Sequence, residues 1–133
     1  MEGKEVIQRV GDREYRIAEN KVFLRDGNIL FVEAHGGQTD EIAGAHLELH
    51  DQFCQQLPGK INYLIDLNDA GKSSSEARKI WQKISEADRT RKVSLFGIHP
   101  VARILATFVM GVVNKREIRF FTSRQEAQDW LNE

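Results

Sequence analysis

The chain has 133 residues, 41% hydrophobic and 29% charged, which suits one domain with a substantial core. Its 19 Lys and Arg against 20 Asp and Glu leave a net charge of −1, so no whole-molecule field draws nucleic acid. Its single cysteine, Cys54, excludes an internal disulfide.

Met1–Asp12 is charged, has too short an apolar stretch for a signal peptide, and is expected to form a loose tail. Residues 13–133 are then expected to form one domain. Tyr15–Ala18 and Val22–Leu24 read as short strands around a turn at Glu19-Asn20. Asp26-Gly27 marks a second turn, and Ile29–Ala34 a third strand ended by His35-Gly36-Gly37. Thr39–Leu57 places Ile42, Ala45, Leu49, Phe53 and Leu57 at helical spacing, stopped by Pro58-Gly59.

The strand Ile61–Leu67 follows, and Asn68 to Ser75 is expected to be a loop. A helix over Ser75–Ala87 is expected to bury Ala77, Ile80, Trp81 and Ile84. Val93–Ile98 reads as a fully buried strand. Pro100 opens a third helix ending near Asn114, far short of the about 20 apolar residues that cross a bilayer. Ile118–Phe121 is the last strand, and Ser123-x-x-Glu126 caps a short helix with Ala127, Trp130 and Leu131 inward. The order βββαβαβαβα predicts the α/β class: a mixed sheet that starts as an antiparallel meander and continues as alternating βα units, helices packed on it.

Gly71-Lys72-Ser73 ends like a phosphate loop, but the position that needs glycine is Asp66, whose carboxylate repels phosphate. Ser73, Ser74 and Ser75 have two readings. Ser73-x-x-Glu76 fits a helix capping box, and the cluster also suits phosphorylation or a partner's polar group. His46 and His50 lie one helical turn apart without a third metal ligand beyond the remote His35, so boundary packing is expected and no metal. Cys54 lacks an evident activating histidine and reads as an inert thiol.

The third helix is expected to cover the sheet with Val101, Ile104, Leu105, Phe108, Val109 and Val112. Ala102, Ala106, Met110 and Val113 would extend the apolar surface to a second side, for a partner, a dimer or an apolar ligand.

The strand Leu64-Ile65-Asp66-Leu67 before a serine-bearing helix start resembles the STAS-like superfamily, the fold of bacterial anti-sigma-factor antagonists. So does the closing stretch: Ala102 to Phe108, Ile118 to Phe121, and Glu126-Ala127-x-x-Trp130-Leu131. The likeness is to a divergent bacterial branch related also to lipid-binding CRAL-TRIO domains, and covers about residues 13–133. It implies a small non-enzymatic module that binds a protein partner. It also implies a switch serine, phosphorylated by a partner kinase, at Ser73, Ser74 or Ser75, near Asp66 and Asn68. Glu76-Ala77-Arg78 stands where the antagonists have a glycine.

The expected function is therefore a cytoplasmic regulatory module acting through protein contacts, as a homodimer and without a cofactor. A binder of a lipid or small apolar ligand is the alternative. A hydrolase using Asp66, Ser74 and His99 comes third, since the chain has no nucleophile elbow.

Overall fold

The computed structural model describes the backbone of residues 6–112 and 117–133, and the side chains of these except 107–112. Its elements are β1 Ile7–Gly11, β2 Glu14–Ile17, β3 Asn20–Arg25, β4 Ile29–Gln38, α1 Asp40–Gln56 and β5 Ile61–Ser73. Then follow α2 Ser75–Glu86, β6 Thr90–Phe96, α3 Pro100–Val112, β7 Ile118–Phe121 and α4 Arg124–Leu131. The seven strands form one sheet in sequence order. Pairing is antiparallel from β1 to β4 and parallel from β4 to β7.

A mixed α/β sheet with an antiparallel start is what hydropathy and turns predicted, with one strand more. β1 lies where a loose tail was expected. Ile7 pairs with Ile17 across the hairpin, and Val6 and Ile7 pack on the core, so two apolar side chains at its start anchor a strand that is otherwise exposed. Successive parallel strands joined by right-handed crossovers put their connecting helices on one face. There, Val32, Ile65 and Leu95 meet Leu49 and Phe53 of α1, Ile84 of α2 and Ala102 of α3. On the other face α4 packs Ala127, Trp130 and Leu131 on Phe31, Leu64 and Phe96.

β4 and β5 pair well beyond their expected ends, through His35 with Asp69, Gly36 with Ala70 and Gln38 with Ser73. The apolar alternation stops earlier, so hydropathy did not show this extension. Glycine permits it: a Cβ on Gly71 would lie 3.1 Å from the Gly36 carbonyl carbon and 3.2 Å from its oxygen. The residues expected to form a serine loop are thus largely strand.

Candidate interaction surface

Midway along β5, Asp66 Oδ1 accepts from the Asn68 backbone N–H (2.9 Å) and from Asn68 Nδ2 (3.0 Å). Asn68 Oδ1 in turn accepts from the Ile98 N–H at 2.8 Å, fastening β5 to the loop between β6 and α3. Beneath this clamp the backbone comes very close to the helix. A Cβ on Gly97 would lie 2.5 Å from the Ala102 Cβ, inside van der Waals contact.

That close approach decides which way α3 faces. Ala102 and Ala106 point into the fold and are buried, while Ile98 is 75%, Ile104 56% and Val101 45% exposed. The expected outer surface of Ala102 and Ala106 is therefore corrected: small residues sit where the helix touches the sheet, and the larger Val101 and Ile104 face out. Arg103 stacks its guanidinium 5.4 Å from the centre of the Phe120 ring. Met110 lies on α3 but its side chain is outside the described atoms, and Val113 is outside the described residues.

The serines are built into structure to different degrees. Ser74, not Ser73, is the N-cap of α2: its Oγ accepts from the Ala77 N–H at 3.0 Å and donates to Asp40 at the start of α1. Glu76 is thereby one position too early to close the expected capping box. Ser73 ends β5, and its carbonyl accepts from Arg78 Nη1 at 2.6 Å. Ser75, the first helical residue, is exposed.

Ser73 lies seven positions after Asp66 along the strand, on the order of 20 Å away. The expected grouping of Asp66 and Asn68 with Ser73, Ser74 and Ser75 is thus two places. Asp66, Ser74 and His99 make no hydrogen bonds with one another among the described residues. Ser74 bonds to Asp40 and the helix, and His99 is exposed.

α1 holds what sequence reading missed. His46 and His50 are buried at 3% and 2% exposure, not at a boundary. Asn20, expected in a turn, is the hub. Its Oδ1 accepts from the His35 backbone N–H (2.9 Å) and from Gln38 Nε2 (3.2 Å). Its Nδ2 reaches Gln38 Oε1 (2.8 Å) and His46 Nε2 (3.0 Å). Because a backbone N–H can only donate, the amide orientation is fixed, and His46 Nε2 must accept. Burial pushes the His46 pKa down from 6.5 to about 3, so the ring is neutral.

His50 Nδ1 lies 2.7 Å from the Tyr63 hydroxyl, and its Nε2 lies 3.5 Å from Cys54 Sγ. The neighbouring histidine is legible in the four-residue spacing. Burial nevertheless raises the thiol pKa of Cys54 above its ordinary value, so the thiol stays protonated. Among the described residues no three His, Cys, Asp or Glu side chains are placed to share a metal ion.

Between the sheet and helices α2 and α3 lies a largely enclosed cavity of about 50 Å³. Val32, Ile65 and Leu95 form its floor, Trp81 and Leu105 its roof, and Arg78 lines it beside Ser73.

The sequence pattern of the SpoIIAA-like family matches residues 29–132, from β4 through α4. This chain belongs to the SpoIIAA-like family. Two solved structures share the SpoIIAA-like architecture. One is an uncharacterized protein of the DUF3478 family with a SpoIIAA-like fold from Shewanella loihica PV-4. It is 17% identical, with a TM-score of 0.64 over 92% of this chain and 98% of that one. The other is the anti-sigma factor antagonist SpoIIAA in its unphosphorylated form, 10% identical, with a TM-score of 0.59 over 85% of this chain and 97% of that one. At these identities the likeness establishes the SpoIIAA-like fold alone. No curated protein matches the chain in sequence. Among the described residues no helix is long and apolar enough to cross a membrane.

Proposed function

We propose that this SpoIIAA-like chain is a cytoplasmic, bacterial, non-enzymatic regulatory module that acts by binding a protein partner, and that it self-associates through the same surface. The observation that carries this reading is the exposed apolar start of α3. Ile98, Val101 and Ile104 follow the C-terminal end of β6, where the Asp66–Asn68–Ile98 clamp holds the start of this segment. Large apolar side chains grouped in the open mark contact surfaces on soluble domains. In this reading Ser75 is the serine a kinase would modify, because it is exposed while Ser74 caps α2 and Ser73 ends a strand.

The test is affinity capture from the native host with wild type and with the pair Val101→Glu and Ile104→Glu, alongside sedimentation of both. Wild type is expected to retain a specific protein and to sediment as a dimer, and the double variant to lose both. Equal capture and equal sedimentation by the two proteins would contradict the proposal.

The cavity under α2 and α3 supports a second reading, a site for a small apolar ligand. Its walls are mainly aliphatic and aromatic with a few polar side chains, the usual character of a ligand pocket.

A further inference from the structure

We propose that His50 and Cys54 on α1 form a binding site for a soft monovalent metal ion of the copper(I) class. The site is separate from the start of α3 and from the enclosed cavity. Its geometry makes room for an ion, and the type, number and charge of its donors select which one.

The two donors stand one helical turn apart. His50 Nε2 lies 3.5 Å from Cys54 Sγ. Metal–sulfur and metal–nitrogen bonds of about 2.3 and about 2.0 Å span roughly 3.5–3.7 Å when they meet at about 110–120°. One ion therefore bridges the pair without any change in the helix. The other ring nitrogen, Nδ1, lies 2.7 Å from the buried Tyr63 hydroxyl, the kind of outer support that orients a ligating histidine. Both donors line an open groove between α1 and α2, where Cys54 is half-buried, so an ion and one small further ligand can reach them.

Donor type and number narrow the choice. A thiolate beside an imidazole suits copper(I), whereas magnesium and calcium take oxygen. Zinc sites use three or four protein ligands, and among the described residues no third His, Cys, Asp or Glu joins this pair. Copper(I) takes low coordination numbers, so the pair and a small molecule from the groove complete its shell.

Charge favours the same ion. Binding breaks the Cys54 S–H bond, forms a sulfur–metal bond and releases one proton to solvent, with no change of oxidation state. The thiolate and a monovalent ion sum to zero, as the thiol does. A divalent ion would leave an extra positive charge in a half-buried place beside Arg89, whose Nη1 donates to the Cys54 carbonyl at 2.9 Å. Asp51, also on the groove, offsets Arg89 only in part.

Anaerobic titration of the full chain with copper(I), in competition with a chromophoric copper(I) chelator, tests this. One ion per chain is expected, with a Kd tighter than about 1 µM, and zinc(II) at least about 100-fold weaker. Cys54→Ser, which exchanges the sulfur for oxygen, should weaken copper(I) at least about 100-fold, and His50→Gln at least about tenfold. If His50→Gln does not fold, X-ray absorption at the copper edge of wild type replaces it, with nitrogen and sulfur both expected around the ion. Copper(I) affinity unchanged in Cys54→Ser, or a copper shell without nitrogen, would overturn the site. Zinc(II) bound as tightly as copper(I) at these residues would overturn the monovalent assignment. No binding against the chelator would overturn the whole inference.

Discussion

α1 and α3 invert the usual distribution of side chains in opposite ways. α1 buries two histidines, while the start of α3 leaves Val101 and Ile104 in solvent beside Ile98. Buried polar groups and exposed apolar groups both run against the average, and both call for a cause. On α1 the cause lies inside the molecule: Asn20, Gln38 and Tyr63 supply hydrogen bonds to the buried rings or to one another. On α3 no partner from the described residues covers the exposed side chains. The contrast separates a polar cluster that serves the fold from an apolar cluster assigned here to binding.

The difference is sharpest under acid. A neutral His46 in the fold, with a pKa of about 3, faces an unfolded imidazole at 6.5. Between those values the unfolded chain binds the extra proton, so stability is complete above about pH 7 and falls as pH drops toward about 3. At about 1.4 kcal/mol per pH unit, the loss from about pH 7 to about pH 4.5 is about 3 kcal/mol. Urea unfolding at the two pH values measures it. His46→Gln, which retains an acceptor for Asn20 and does not titrate, should remove most of that slope. An unchanged slope would mean that His46 is not the group responsible.

Ser74 is an intermediate case, since its hydroxyl joins the starts of α1 and α2 through Asp40 and the Ala77 N–H. Ser74→Ala should cost about 1 kcal/mol, the usual worth of an N-cap, read as a lower thermal midpoint. Ser73→Ala, at a side chain that caps nothing, should cost less. The reverse order would restore the capping box predicted from Ser73 and Glu76.

Local rules gave much of this architecture from sequence. Ser123 caps α4 as expected, with the Glu126 N–H 3.2 Å from its oxygen, and Thr39, expected as the first residue of its helix, caps α1 with the Ile42 N–H at 3.2 Å. Apolar periodicity located α1 and α2, and Pro100 opened α3. Features set by distant residues were hidden. β1 exists because β2 offers it an edge, and the long end of β5 because Gly71 lets it run against Gly36.

The residues of the proposed surface were only partly legible. Asp66 and Asn68 were singled out at an expected strand end, whereas β5 runs on to Ser73 and Asn68 meets Ile98, 30 residues on in sequence. Hydropathy cannot distinguish an inward Ala102 from an outward Val101, because contact distance selects the smaller residue. Asn20 looked like a turn residue since its partner His46 is 26 positions away.

The most direct measurement is the folding stability of the Val101→Glu, Ile104→Glu protein by urea unfolding at neutral pH. If the start of α3 is a binding surface with no part in the fold, stability stays within about 0.5 kcal/mol of wild type. A loss of about 2 kcal/mol or more would show that these side chains are packed within the chain, and would contradict their assignment to a partner.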